Sequence, residues 1–417
     1  MGFSEERRFS VGQLARIIQE SNANGERFCF ILGSGASVES GIPSGNTLEM
    51  RWMNCLMGAK DDAPAHKMNA SETCRMAEAL HKKREMQYAF GEIKAAWEKA
   101  CAEGKNLLPS RYYFDIYKLR FYPTPRNGYS YLEKLMENCT PSLGYHTLAK
   151  LLTQNNLNNL VITTNFDSLV EDALFLYTEK RPLVVSHESL AEYMEANVQR
   201  PIVAKVHRGL MYAPLNSPDA TNRLKDEWRG ALRYAFNVYT PIVIGYAGGD
   251  HSLMDFLKES DTKMRNGLYW CFRAKSGLPE ENILQFVQSK QGYFVEIDGF
   301  DALMLGLGKQ LYGDAIGPSA AEQYLNEKNS RRIQKYNEQW TELDKNPTLK
   351  ELVRSVNEQE QRGEEQREKK EELTATDHFR RGYRAGDEGD WATAQEEYSK
   401  AIEKDPSFMA AYNNRGI

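Results

Sequence analysis

Six short apolar runs, each ending in a turn, constrain this chain more than any other feature. They are Phe28-Cys29-Phe30-Ile31-Leu32, Leu160-Val161-Ile162-Thr163-Thr164, Ile202-Val203-Ala204-Lys205-Val206, Pro241-Ile242-Val243-Ile244-Gly245, Leu268-Tyr269-Trp270-Cys271-Phe272 and Tyr293-Phe294-Val295-Glu296-Ile297. A strand that is apolar at consecutive positions buries both of its faces, and such strands belong to parallel sheets covered by helices. Helical spacing separates the runs, as at Leu253, Phe256 and Leu257. The alternation predicts a doubly wound, Rossmann-like α/β sheet. Ahead of it, Ser10 and Gln13 form a capping-box pattern that opens an amphipathic helix through Val11, Leu14, Ile17 and Ile18.

The stretch between the first two runs, about residues 46–153, breaks this rhythm. Met86, Phe90, Ile93 and Trp97 step by four, three and four, which predicts a helix with one apolar face inside a helical insertion or cap. The aromatic run Tyr112, Tyr113, Phe114, Tyr117, Phe121 and Tyr122 is expected to pack as core, with a ligand-pocket lining as the alternative. A closing helix is expected over Phe300–Leu311. From Glu322 to Glu372 the chain is dense in Glu, Gln, Lys and Arg, the composition of a solvated helix or linker.

Composition narrows the class. The 417 residues carry 53 Lys+Arg against 58 Asp+Glu, a net charge of −5, so no global basic field is available to hold a nucleic-acid backbone. No apolar run is long enough to span a bilayer, and no secretory signal follows Met1, so a cytoplasmic protein is expected. Six scattered cysteines without a C-x-x-C pair argue against a disulfide framework and against a zinc knuckle.

At the C-terminal end Arg381-Gly382 recurs as Arg415-Gly416, 34 residues apart. Between them fall Gly389, Asp390, Trp391, Ala394, Tyr398, Ala401 and Pro406. The period and these positions resemble the tetratricopeptide helix pair. The chain stops just inside a second repeat, so a piece of a longer protein is expected. The expected division is a sheet domain over 1–315, a charged helical linker over 316–376 and a truncated repeat over 377–417.

The chemistry is expected at the carboxyl ends of the strands, where α/β sheets bind ligands. The first run feeds Gly33-Ser34-Gly35-Ala36-Ser37-Val38-Glu39-Ser40-Gly41-Ile42-Pro43. Such glycines let a backbone approach a pyrophosphate, although a tight turn also explains them, and Val38 stands where a dinucleotide fingerprint usually has its third glycine. Next in order come Pro141-Ser142-Leu143-Gly144-Tyr145-His146-Thr147-Leu148, Thr163-Thr164-Asn165-Phe166-Asp167, Lys205-Val206-His207 and Gly245-Tyr246-Ala247-Gly248-Gly249-Asp250. Together these segments, over about residues 28–312, resemble the sirtuin-like superfamily, whose Rossmann-type domain binds NAD.

The resemblance implies cofactor-binding roles for Gly33, Ser34, Gly35, Ser37, Pro43, Thr164, Gly245, Tyr246 and Asp250, and catalytic roles for His207, Asn165 and Asp167. Cleaving the nicotinamide–ribose bond of NAD expels a neutral leaving group from a cationic ring, so orientation and charge stabilisation matter more than a strong acid. Asn165 suits ribose hydroxyls or an incoming water, Asp167 suits the nicotinamide amide, and an imidazole at position 207 suits a general base. Taken singly, Asn165-x-Asp167 reads as a helix cap and His207 as a core histidine. His146 is expected to pack, and His187 and His251 to lie in surface or loop positions. Departures from protein-deacylating sirtuins are the absent four-cysteine zinc module, Ser44-Gly45-Asn46 after the Gly-Ile-Pro, Thr164 before the Asn and Arg208 after the His.

The expected function is therefore an NAD hydrolase that yields ADP-ribose and nicotinamide and needs no metal. The resemblance further implies a homo-oligomeric effector of bacterial antiviral defence, triggered by a protein partner at the repeats. The alternatives are a silent module that binds NAD or ADP-ribose, and a lysine deacylase.

Overall fold

In a computed structural model the chain is described over residues 7–57, 84–104, 108, 112–122, 126–194, 199–207, 226–249, 251–348, 350–351, 354 and 374–415. It divides into two compact units, Met1–Glu327 and Lys328–Ile417. The first is built on one parallel sheet of Arg8–Phe9 (β1), Arg27–Leu32 (β2), Leu160–Thr163 (β3), Leu183–Val185 (β4), Ile202–Lys205 (β5), Tyr239–Ile244 (β6), Tyr269–Arg273 (β7) and Tyr293–Ile297 (β8). The order across the sheet is β1-β8-β7-β6-β2-β3-β5-β4, and each neighbouring pair runs parallel. The doubly wound α/β fold is the one the apolar runs predict.

The central strand shows why its sequence lacks alternation. Cys29 and Ile31 enter one core, with Trp228 and Phe236 of the Asp226–Val238 helix and Leu253 of the His251–Lys258 helix. Phe28, Phe30 and Leu32 enter the other, with Leu14 and Ile18 of the first helix, Leu148 of Leu143–Thr153 and Leu303 of Phe300–Tyr312. Both faces are covered, so every residue from Phe28 to Leu32 is buried.

The six expected strands are present, with Thr164, Val206 and Gly245 lying just past the strand ends. Two strands escape the sequence pattern. Arg8–Phe9 adds a two-residue edge beside β8, and Leu183–Val185 a three-residue edge beside β5. Runs that short carry no periodicity. Pro241 is tolerated inside β6 because it pairs with Cys29 of β2, whereas pairing with β7 begins only at Ile242. The Ser10 capping box forms, with Gln13 N donating to Ser10 Oγ at 3.2 Å.

The expected cap takes shape as helices Gly45–Leu56, Arg84–Ala102, Tyr113–Arg120 and Arg126–Met136. The side chain of Met86 lies outside the described residues. Ile93, Ile116, Tyr117, Phe121 and Leu132 surround the fully buried Trp52. Tyr117 and Phe121 meet its ring edge-on at 5.6 and 5.5 Å, so this part of the aromatic run is core.

In the second unit Ala375–Asp387 and Trp391–Lys404 form a helical hairpin followed by Met409–Arg415. Gly389, at φ +82°, makes the turn and Asp390 caps the second helix. A Cβ on Gly382 would sit 2.8 Å from the ring of Tyr398, so the helices touch where glycine allows it. Gly416, half of the 34-residue recurrence, lies outside the described residues. Within the charged stretch, the helix Pro318–Asp344 is exposed from Asn329 onward.

Candidate active site

The chain runs from β2 to β3 and β5 on one side, then returns to β6 on the other, so the topological switch point lies between β2 and β6. The two glycine turns leave those strands side by side. Gly33 N donates to Ile244 O at 3.0 Å and Gly35 N to Gly245 O at 2.9 Å. A Cβ on Gly33 would stand 2.5 Å from Gly245 O, and one on Gly35 2.8 Å from Gly245 Cα. Glycine is thus required by the contact of one turn with the other. The backbone of Gly245 also needs its φ of +64°. Ser34 is exposed, its Oγ accepting a long 3.4 Å bond from Gly45 N. Pro43 is half-buried, one residue before Ser44, the N-cap of the first cap helix.

The β3 turn is tied to the first glycine turn by side chains. Thr163 Oγ1 donates to Leu32 O at 2.9 Å and accepts from Asn165 N at 3.0 Å. Thr164 is half-buried and its N–H reaches Leu32 O at 3.3 Å. Asn165 Nδ2 donates to Gly33 O and to Ser37 Oγ, both at 3.0 Å. A carbonyl only accepts, so the contact with Gly33 O fixes which end of the carboxamide is nitrogen. Among the described residues Oδ1 has no hydrogen-bond partner.

Ser37, 1% exposed, donates a hydrogen bond from its Oγ to Asp167 Oδ2 at 2.7 Å. Tyr145, buried behind it, also bonds Ser37, and burial together with the nearby Asp167 charge pushes its phenol well up. Asp167 Oδ1 accepts from Leu169 N at 3.2 Å, opening the Leu169–Thr178 helix. Asp167 therefore makes the helix-start bond that its spacing suggests, and each of its oxygens holds a protein donor.

His207 follows β5 by two residues and is half-buried, its Nε2 2.9 Å from Ser252 Oγ. Ser252, 3% exposed, is the second residue of the His251–Lys258 helix. Tyr246 turns its ring into the core, 5.9 Å from that of Trp270, leaving its main chain at the turn. Asp250, Arg208 and the side chain of His251 lie outside the described residues. His146 packs on Tyr177 at 4.8 Å, and burial, with Lys150, lowers its pKa. Phe166 leans the other way, into the aromatic cluster of the cap.

Sequence reasoning missed Tyr145, Ser252, Lys205 and Glu171. Lys205 was visible as a charge closing an otherwise apolar run, and Ser252 as the hydroxyl just past the second glycine turn. Tyr145 stands beside His146 in the segment 141–148, and its phenol is marked by no local pattern.

Residues 159–294 match the family model of the SIR2-like domain. The match holds Asn165, Asp167, Lys205, His207 and Gly245, supports the sirtuin-like family and is consistent with NAD-dependent activity. No curated protein matches the chain.

Proposed function

We propose that this chain is an NAD glycohydrolase, cleaving the nicotinamide–ribose bond to give ADP-ribose and nicotinamide. The observation that carries the reading is the set of Asn165 bonds. A carboxamide held by two acceptors, with its oxygen open beside two glycine turns at the switch point, is a preformed acceptor for ribose hydroxyls or for water. The surroundings suit a dinucleotide: Ser34 is exposed beside the two turns, and Asn165, Asp167 and His207 stand half-buried at the neighbouring strand ends.

Bound NAD supplies a cationic nicotinamide that leaves neutral when its bond to ribose breaks. Asn165 orients the attacking water or the ribose through Oδ1. His207 accepts the proton released as water adds, and Ser252 holds its ring in place. Asp167 stiffens the turn through Ser37 and Leu169, and its negative charge favours the cation. Phe166 ties the turn to the aromatic cluster of the cap.

By resemblance the setting is antiviral defence in a bacterial cell, with a homo-oligomer held quiet until a protein partner engages the C-terminal helices. Such restraint is required, because free NAD hydrolysis would poison the cell that makes it. The test is purified protein incubated with NAD and no acylated peptide, followed by chromatography. Nicotinamide and ADP-ribose in equal amounts support the hydrolase. Binding without release points to a silent module, and release only with an acyl-lysine peptide to a deacylase.

A further inference from the structure

Lysine is almost never fully buried, yet Lys205, the last residue of β5, is 5% exposed. Its Nζ donates to the main-chain carbonyl of Asp167 at 2.5 Å and lies 2.7 Å from Glu171 Oε1. Both partners belong to the segment that follows Asn165, one in the turn after β3 and one in the first turn of the next helix. Burial pushes the Glu171 and Asp172 carboxyls up, and Lys205 is the cation that opposes both shifts.

Stability alone does not account for such a group. A buried ion pair can often be replaced by apolar side chains of similar volume without loss of stability. The contacts give a different reason. An ammonium with three donors reaches the Asp167 carbonyl and the Glu171 carboxylate at once, which no apolar side chain can do. It thereby joins the end of β5, two residues before His207, to the turn that carries Asn165.

We infer that Lys205 is a positioning residue: it fixes the Asp167 peptide, and with it the Ser37 and Gly33 hydrogen bonds that set the direction of Asn165 Oδ1. For its effect on chemistry the inference rests on the NAD reading; the anchoring of the turn stands on geometry alone.

The test is Lys205→Met, which keeps length and removes the donors. Amide hydrogen exchange over residues 164–169 rises by about tenfold or more while that of Tyr269–Arg273 is unchanged, because only the local anchor is lost. In NAD turnover kcat falls about 100-fold with KM shifted less than about threefold, the size expected for a misplacement of about 1 Å. Lys205→Arg, which keeps the charge and the donors, recovers most of the loss. If Lys205→Met fails to fold, Lys205→Met with Glu171→Leu makes both partners apolar and is read in the same way.

Unchanged exchange in the turn overturns the inference. So does uniform loosening of the whole unit, failure of both variants to fold, or local loosening without a fall in the kcat of an active enzyme. If wild-type protein cleaves no NAD, the exchange measurement still decides the role of Lys205, and the NAD reading is what fails.

Discussion

The two sides of the Asn165 turn are built on opposite rules. Toward the sheet, Asn165 Nδ2, Ser37 Oγ, both Asp167 oxygens and Lys205 Nζ all hold hydrogen-bond partners, with Glu171 Oε2 as a buried oxygen that has none among the described residues. Toward the cap, Phe166 enters a cluster around Trp52 in which Glu49 is fully buried, its carboxylate oxygens without a hydrogen-bond partner among the described residues. Glu49 lies one helical turn beyond Gly45, whose Cβ direction faces the ring of Tyr113. Burial pushes its carboxyl up to about 8. A satisfied polar network holds one geometry, which chemistry needs; an apolar cluster with a neutralised acid holds shape by packing and tolerates change. The sheet side is thus the side where substitutions silence activity, and the cap side the one where they tune stability.

The largest expected effect lies on the sheet side. Asn165→Ala and His207→Ala lower NAD turnover by on the order of 10²–10⁴ while the thermal midpoint stays within a few degrees of wild type, since neither side chain is core. Nicotinamide release and a melting curve on the same samples check this. Wild-type turnover in both variants would break the contrast.

Gly245→Ala comes next and acts on folding. The added Cβ meets the backbone of Gly35 at a positive φ, so neither turn can yield, and a loss of more than about 2 kcal/mol is expected in denaturant unfolding. A variant as stable as wild type would show that the turns are not locked together.

The cap gives a smaller and pH-dependent effect. Because the folded state holds the Glu49 proton more tightly than the unfolded chain, wild-type stability is complete below the ordinary carboxylate range, falls as pH rises toward about 8, and is level beyond. Glu49→Gln removes that slope. Its thermal midpoint should match wild type near about pH 4 and exceed it near about pH 8.5. Activity should change little at either pH. Parallel melting curves for both proteins would contradict the account of Glu49.

The smallest expected effect is none. Without a C-x-x-C pair to build a zinc module, activity should survive a chelator. Loss that added zinc restores would overturn that expectation.

These contrasts were unequally legible in the sequence. Strands buried on both faces announce themselves, since Phe28 to Leu32 can satisfy no other environment, and the Ser10 cap is written in two residues. Asn165, Asp167 and His207 stood out through the resemblance of their segments, taken in order, to the sirtuin-like family; singly they read as a helix cap and a core histidine. The partners of these residues did not stand out. Ser37 meets Asp167 across 130 positions, and Lys205 meets it across 38, distances that only the fold closes. The glycines carried a phosphate expectation, whereas the structure gives them a neighbouring turn to fit against. Glu49 has a similar lesson: nothing local in its sequence marks that acid as buried.

The central claim is that Asn165 is held by its amide nitrogen so that its oxygen meets the ribose. The most direct measurement follows the Asn165 carboxamide by NMR in selectively labelled protein while ADP-ribose is added. A saturable shift of the side-chain carbonyl carbon is expected, with the Nδ2 protons remaining slow to exchange because Gly33 O and Ser37 Oγ keep them. A carbonyl signal that stays put while ADP-ribose binds elsewhere, or amide protons that exchange freely in the unliganded protein, would contradict it.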